Sequence, residues 1–227
     1  MKAVVLLSGG LDSATAATVA KSQGFELYAL SFYYGQRHKK ELECAQRMGD
    51  FLGVREHRLL SVDLPWALSA LTREDIPVPE DRLDTTSIPV TYVPSRNTIF
   101  LAFAASYAEA LGVRDIFAGM TAVDYSGYPD CRPEFLQAFE VALNLGTKAG
   151  SEGGDFNIHT PLVEMTKAEI VKCGLSLGVD YSLTWSCYKG GEKACGRCDS
   201  CLLRLKGFRE AGIRDPLEYE GGDQIRC

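Results

Sequence analysis

The chain has 227 residues, of which 46% are hydrophobic and 24% charged, so it is long enough to bury one sizeable core. Its net charge of −6 argues against a protein that wraps a nucleic-acid backbone, because such binding requires clustered Lys and Arg, and it favours a small-molecule substrate. The opening apolar run at 3–7 is too short for a signal peptide, and no run approaches the roughly 18 apolar residues of a membrane span, which predicts a cytoplasmic protein.

Short β-branched or aromatic runs alternate with amphipathic stretches in the first part of the chain. The predicted strands lie at 3–7, 26–32 and 55–64, and the predicted helices lie at 12–23 and 39–53. This alternation is typical of βαβ units. It predicts an α/β fold built on a parallel sheet.

A segment with four prolines among acidic residues occupies 72–94, and we expect it to be a long surface loop. The stretch that follows, 95–112, is apolar nearly all round, which predicts a helix buried against the sheet. A fourth strand is predicted at 115–120. A helix is predicted at 132–146, with Pro133 near its first turn, where a missing N–H is tolerated.

The last third of the chain contains a short predicted strand within 156–162 and a further helix. Thr166 and Glu169 have the spacing of a capping box and mark the start of this helix. A cysteine-rich segment and a basic helix at about 200–211 follow. We therefore divide the chain into an α/β domain at 1–180 and a small C-terminal module at 181–227.

The stretch "SGGLDS" at 8–13 stands between the first predicted strand and the first predicted helix. Backbone N–H groups and the positive end of a helix dipole converge on an anion in this geometry, although a glycine pair alone also fits an ordinary turn. The lysine of the commonest phosphate loop is missing, since Ser13 and Ala14 stand where it is required, and the third glycine of the dinucleotide fingerprint is also missing.

"SGGLDS" resembles the SGGxDS signature of the PP-loop, or N-type, ATP pyrophosphatase family. The resemblance implies a doubly wound parallel sheet of the adenine nucleotide alpha hydrolase-like kind. It also implies that the loop holds the β- and γ-phosphates of ATP while a substrate oxygen attacks the α-phosphorus. The implied ATP-binding residues are Ser8, Gly9, Gly10, Leu11, Asp12 and Ser13. Asp12 and Ser13 are also candidate catalytic residues, and Asp12 is expected near a Mg²⁺ ion.

Four cysteines near the C-terminus have the spacing C-x7-C-x2-C-x2-C. They are Cys187, Cys195, Cys198 and Cys201. Four thiolates within fifteen residues fit one tetrahedral structural zinc ion with no open position for a substrate. A redox dithiol and an iron–sulfur cluster are the alternatives, but the fourth position of a ferredoxin-type run is Leu205 and the proline is absent.

Five further blocks run nearly from end to end of the chain. They lie at 31–41, 93–101, 124–135, 160–171 and 186–201. Together they resemble the 7-cyano-7-deazaguanine synthases, a branch of the PP-loop family. The resemblance implies an ATP-dependent ligase of queuosine biosynthesis that converts 7-carboxy-7-deazaguanine and ammonia to the 7-cyano compound through an acyl-adenylate and an amide. It also implies a homodimer.

Three basic side chains in these blocks are candidates for binding phosphate or substrate. Arg96 can pair with a carboxylate or phosphate, or can face solvent at a helix start. His38 can contact a phosphate or begin a helix at the edge of the sheet where open α/β folds bind ligands. Lys167 can reach a phosphate or remain in the first turn of its helix. We expect Arg96 and Lys167 to be catalytic and His38 to bind ATP.

The candidates for binding the deazaguanine base are Tyr34, Arg96, Asp124, Tyr128 and Asp130. An aspartate in this set can accept hydrogen bonds from the exocyclic amine and the ring N–H of a guanine-like base. A solvated turn is the alternative for the stretch that contains Asp124, Tyr128 and Asp130, and Tyr34 is a packing or stacking residue.

Two other functions fit parts of the pattern. A tRNA-thiolating PP-loop enzyme would use Cys131 to carry a persulfide, but the acidic balance argues against nucleic acid as a partner. A zinc-ribbon interaction module would rest only on the basic stretch between 197 and 209.

Overall fold

The computed structural model describes residues 1–81, 87–122 and 127–221. The strands within these residues are β1 (Lys2–Leu6), β2 (Glu26–Tyr33), β3 (Glu56–Ser61), β4 (Asp115–Phe117) and β5 (Asn157–His159). They form one sheet in the order β3-β2-β1-β4-β5, with every neighbouring pair parallel. The chain winds outward from β1 through β2 and β3, then crosses to β4 on the other side. The sheet is therefore doubly wound, as predicted.

Helices cover both faces of the sheet. They are α1 (Leu11–Ser22), α2 (Lys40–Leu52), α3 (Arg96–Ala110), α4 (Pro133–Gly146), α5 (Lys148–Ser151), α6 (Lys167–Ser176) and α7 (Asp199–Ala211). Successive β1 residues serve opposite cores, because side chains alternate across a strand: Val4 packs with α3 and α4, whereas Val5 packs with α1, α2 and α6. Burial on both faces explains why β1 reads as a continuous apolar run.

The start of α6 confirms the capping box. The Thr166 hydroxyl accepts from the backbone N–H of Glu169 at 3.3 Å, and the Glu169 carboxylate accepts from the backbone N–H of Thr166 at 2.8 Å. Such a cap contributes about 1 kcal/mol to stability. The cap also fixes the position of Lys167, because Lys167 is the first residue of α6.

The helix predicted at 95–112 is observed as α3, and it packs against the sheet as predicted. Leu101, Ala104, Ala105 and Ala108 of α3 are buried, but Phe103 is 40% exposed. A helix on the outside of a sheet contacts it through one face only, and an apolar pattern on every face cannot identify which one.

The described parts of the proline-rich segment lack regular helices and strands and are anchored to the cysteine-rich loop. The backbone N–H of Asp81 donates to the carbonyl of Arg197 at 2.8 Å, and the Arg197 side chain pairs with both Glu80 and Asp81. The surface loop predicted from composition is thus fixed near its middle to the C-terminal module. Within the described ranges, the helices are too short or too polar to cross a membrane.

The C-terminal module contacts the α/β core through α7. Phe208 packs in the same core as α1 and α6, while the four cysteines form a separate buried cluster with Trp185. Buried Arg204 of α7 pairs with Asp215 at 2.7 Å and donates to Thr184 at 2.7 Å. The domain division at residue 180 stays a prediction.

Candidate active site and metal centre

A cavity of about 300 Å³ opens at the carboxyl ends of β1, β2 and β4. Residues of the glycine loop, the end of β2, the start of α2 and the start of α3 line it, together with Lys167 and the stretch at 185–188. Ligands of open α/β sheets bind at this edge, where the strand order reverses. The cavity therefore brings the predicted ATP loop together with most of the predicted substrate residues.

The glycine loop is shaped by close packing on α2. Gly9 has φ of +85°, and a Cβ on it would lie 2.1 Å from the backbone oxygen of Glu41. Within the loop, Ser8 Oγ donates to Ser13 Oγ at 3.0 Å, and Ser13 Oγ donates to the Gly10 carbonyl at 3.1 Å. Gly10 is the N-cap of α1 and has no side-chain cap, so the first N–H groups of α1 face the cavity without an intrahelical partner. This cradle fits a polyphosphate.

Asp12 and Lys167 form an ion pair in the cavity. Lys167 Nζ lies 2.8 Å and 2.9 Å from the two carboxylate oxygens of Asp12, and the lysine side chain is 10% exposed. A residue of α6 thus reaches the start of α1, which places a cation beside the loop. A lysine is thus present beside the glycine loop, although it is 155 residues away from Asp12 along the chain.

Arg96 lies in a cluster of tyrosines at the other end of the cavity. Its guanidinium donates to Tyr34 Oη at 3.1 Å and lies 5.4 Å and 5.8 Å from the ring centres of Tyr34 and Tyr128. Burial raises the pKa of Tyr34, and Arg96 opposes that shift. The arginine therefore faces the cavity rather than solvent, and its guanidinium makes one hydrogen bond to the described residues, which leaves further donors for a ligand.

His38 also lines the cavity, beside the cysteine-rich loop. Its Nδ1 is buried without a hydrogen-bond partner among the described residues, and a Cβ on Gly190 would lie 2.2 Å from its ring. Burial lowers the pKa of His38, partly offset by a backbone hydrogen bond with Cys187. A neutral imidazole with one free nitrogen is the form that these contacts favour.

The two aspartates predicted to bind the base differ in what the structure describes. Asp130 is buried, and its carboxylate accepts from the Asn97 backbone N–H at 2.9 Å and from Asn97 Nδ2 at 3.2 Å. It is thus already engaged at the start of α3. Asp124 lies outside the described residues. Tyr128 lines the cavity, with its hydroxyl 3.0 Å from that of Thr91.

Two further side chains at the cavity bear on its chemistry. Burial raises the pKa of the Cys131 thiol to about 12, with a further increase from Asp130. Glu41 lines the cavity at the start of α2, and the sequence reasoning assigned it no role although it ends the block at 31–41.

The four cysteine sulfurs lie within 4.8 Å of one another, and all four residues are buried. Backbone N–H groups of Lys189 and Cys195 donate to the sulfur of Cys187 at 3.4 Å and 3.3 Å. The N–H groups of Arg197 and Cys198 donate to the sulfur of Cys195 at 3.4 Å and 3.3 Å. Donors aimed at sulfur stabilise thiolates, so this soft four-sulfur set fits a tetrahedral metal ion.

The cysteine-rich loop is attached directly to the glycine loop. The backbone N–H of Trp185 donates to the carbonyl of Gly9 at 2.9 Å, and its indole N–H donates to the carbonyl of Cys187 at 2.9 Å. Lys40 Nζ stacks on the Trp185 ring, 3.7 Å from its centre. Trp185 therefore links the position of the cysteine-rich loop to that of the glycine loop.

Comparison with known proteins identifies the family. The family model described as "Queuosine biosynthesis protein QueC" matches residues 2–212. The chain is 60% identical to the 7-cyano-7-deazaguanine synthase of Geotalea uraniireducens, over 98% of this chain and 99% of that relative. It is 57% identical to the one of Thermoplasma acidophilum, over 96% of this chain and 92% of that relative.

A solved structure described as a "predicted subunit of tRNA methyltransferase" from Methanocaldococcus jannaschii has a TM-score of 0.50 and 16% identity, over 95% of this chain and 90% of that one. This likeness shows a shared fold. The sequence relatives and the family model show more, since they match nearly the whole length: the chain belongs to the family of 7-cyano-7-deazaguanine synthases.

Proposed function

We propose that the chain is an adenylating ligase that converts 7-carboxy-7-deazaguanine and ammonia to 7-cyano-7-deazaguanine at the expense of ATP. One observation carries the proposal beyond family membership. A single cavity joins a phosphate cradle at Ser8 and Gly10 to the guanidinium of Arg96, so ATP and a carboxylate can meet in it.

The cradle supports the direction of attack on ATP. Backbone N–H groups at the start of α1 and the hydroxyls of Ser8 and Ser13 are placed to hold the β- and γ-phosphates. Lys167 lies beside them, paired with Asp12. A bound Mg²⁺ would neutralise phosphate charge there, and Asp12 is the residue that would hold it. Because the loop binds the phosphates that leave as pyrophosphate, the α-phosphorus stays accessible to attack by a substrate oxygen.

Arg96 supports the choice of a carboxylate as that nucleophile. A guanidinium with donors left over in a desolvated, tyrosine-lined site binds carboxylates by paired hydrogen bonds. The flat rings of Tyr34 and Tyr128 suit stacking against a planar base.

The proposed reaction consists of two activation steps, each of which uses one ATP. A carboxylate oxygen bonds to the α-phosphorus as the bond to pyrophosphate breaks, giving an acyl-adenylate. Ammonia then bonds to the acyl carbon, AMP leaves, and a proton is released with formation of the amide. A second ATP activates the amide oxygen in the same way, and loss of AMP with two protons from nitrogen gives the nitrile. The residues supply positioning and charge, and no side-chain nucleophile is needed.

We infer that the four cysteines hold one Zn²⁺ ion with a structural role. Four sulfurs fill a tetrahedral ion, so a substrate would find no open position on it. The hydrogen bond from Trp185 to Gly9 supports the inference that the ion stabilises the geometry of the phosphate cradle.

The test is incubation of the purified protein with 7-carboxy-7-deazaguanine, ATP, Mg²⁺ and ammonium, with mass spectrometry of the base. We expect the amide and then the nitrile, with two AMP and two pyrophosphate formed per nitrile. If neither amide nor nitrile forms, the proposal fails.

A further inference from the structure

The described residues lining the cavity include two carboxylates, Asp12 and Glu41. Both oxygens of Asp12 accept from Lys167. Glu41 differs, because its carboxylate makes no hydrogen bond or ion pair with the described part of the chain. An acidic side chain without a partner inside a ligand cavity points to a ligand that supplies donors.

Glu41 lies between the two ends of the site. It is in the first turn of α2, and its backbone oxygen packs against Gly9 of the phosphate cradle. Arg96 is the charged group that acts most strongly on it, and Glu41 in turn raises the pKa of Tyr34, the hydrogen-bond partner of Arg96. The carboxyl is therefore near the place where an activated carboxylate held by Arg96 would meet the nitrogen donor.

The surroundings of Glu41 suit a group that exchanges a proton near neutral pH. Burial raises the pKa of Glu41 to about 7, against the lowering effect of Arg96 and with a smaller increase from Cys187. The other titratable groups that interact with it are Tyr34 and Cys44, whose own pKa values are raised by burial. Both remain neutral near pH 7, so Arg96 is the charge that offsets a Glu41 carboxylate.

The nitrogen donor imposes a matching requirement. In neutral water ammonia is present almost entirely as ammonium, which has no lone pair and cannot attack an acyl carbon. A carboxylate in a desolvated cavity attracts ammonium by charge and can then accept its proton.

We propose that Glu41 is a catalytic residue that binds the nitrogen donor as ammonium and accepts one proton from it, releasing neutral ammonia beside the acyl-adenylate. The inference rests on the proposed function. The carboxylate gains the proton, the nitrogen keeps the electron pair, and that pair forms the C–N bond as the bond to the AMP oxygen breaks. The second proton leaves the nitrogen with departure of AMP, which gives the amide.

The experiment compares two nucleophiles in wild type, Glu41→Gln and the control Glu43→Gln. Glu43 is on the same helix but its side chain is 67% exposed, so its change leaves the cavity intact. Hydroxylamine is neutral near pH 7 and needs no deprotonation before attack. We expect Glu41→Gln to lower kcat/KM for ammonium about 100-fold and to leave hydroxamate formation from hydroxylamine within about threefold of wild type.

Two further readouts separate this role from a structural one. Pyrophosphate exchange into ATP with 7-carboxy-7-deazaguanine, run without a nitrogen donor, should be unchanged in Glu41→Gln. In wild type, kcat/KM for total ammonium should rise with pH and level off above about 7, where Glu41 becomes ionised, because a raised pKa delays formation of the carboxylate. In Glu41→Gln it should continue to rise through that range, since only free ammonia reacts.

The outcomes distinguish the two proposals. Equal losses with ammonium and hydroxylamine, or a loss of pyrophosphate exchange, would overturn the role of Glu41 and leave the proposed function intact. Absence of product from the wild type with both nucleophiles would overturn the proposed function itself.

Discussion

The glycine loop and the cysteine-rich loop meet through the bond from Trp185 to Gly9, and they use their polar atoms in opposite ways. The glycine loop keeps the first N–H groups of α1 and two hydroxyls at the cavity. The cysteine-rich loop turns its N–H groups inward, onto its own buried sulfurs. The hydroxyls of the glycine loop hydrogen-bond within the loop, but the first N–H groups of α1 do not, and the hydrogen bond from Trp185 holds the glycine loop from outside.

The largest loss of activity and stability is expected from disrupting the cysteine-rich loop. Cys198→Ser should remove zinc, lower the free energy of unfolding by several kcal/mol and abolish turnover, because metal binding and folding of such a loop are coupled. Zinc content by elemental analysis and thermal melting measure this. Cys173→Ser, outside the cluster, is the matched control and should keep its zinc. Full turnover in a zinc-free Cys198→Ser protein would contradict the supporting role.

Gly9→Ala tests the glycine loop at its tightest contact. A Cβ 2.1 Å from the Glu41 backbone oxygen at φ of +85° must shift the loop, and we expect a fall in kcat/KM of about 100-fold or more. Steady-state release of pyrophosphate measures it. Gly24 has the same φ but open space around it, so Gly24→Ala should cost only about 1–2 kcal/mol of stability and leave activity unchanged. Similar activity in both variants would refute the packing argument.

Arg96→Lys tests the end of the cavity that contains the tyrosines. Loss of the planar, paired donors should raise KM for 7-carboxy-7-deazaguanine roughly 10- to 100-fold, the equivalent of about 1.5–3 kcal/mol, while KM for ATP changes little. Arg132→Lys changes an exposed arginine and is the control. A rise in KM for ATP alone would reassign Arg96 to phosphate binding.

The smallest effect is expected from Cys131→Ala. The pKa of this thiol, raised to about 12 by burial, keeps it protonated at neutral pH, and the proposed chemistry uses no thiolate. Turnover should remain within about threefold of wild type, with a stability loss on the order of 1 kcal/mol. Loss of turnover in a folded variant would instead favour the thiolation hypothesis.

Features encoded by neighbouring residues were predictable from the sequence. The strands of the parallel sheet, the capping box of α6 and the approach of four sulfurs all follow from short-range patterns, and the structure confirms them. The exposed side of α3 was not predictable, because an apolar pattern does not say where the sheet lies.

The contacts in the candidate site were harder to predict, because the residues that meet there are far apart along the chain. Whether Asp130 faces a base or engages Asn97 depends on where α3 begins in space. The position of Glu41 depends on the packing of α2 on Gly9. The glycine loop, by contrast, could be located from six consecutive residues. Assembly as a homodimer stays a prediction from the family resemblance.

The bond from Trp185 to Gly9 also bears on the order of folding. The glycine loop is synthesised before Trp185, which donates to it from 176 residues further along the chain. Closing so long a loop is entropically costly and slow, and it requires the C-terminal segment to have been synthesised. The glycine loop should therefore acquire its final shape only after the cysteine-rich loop has been synthesised and has packed against it.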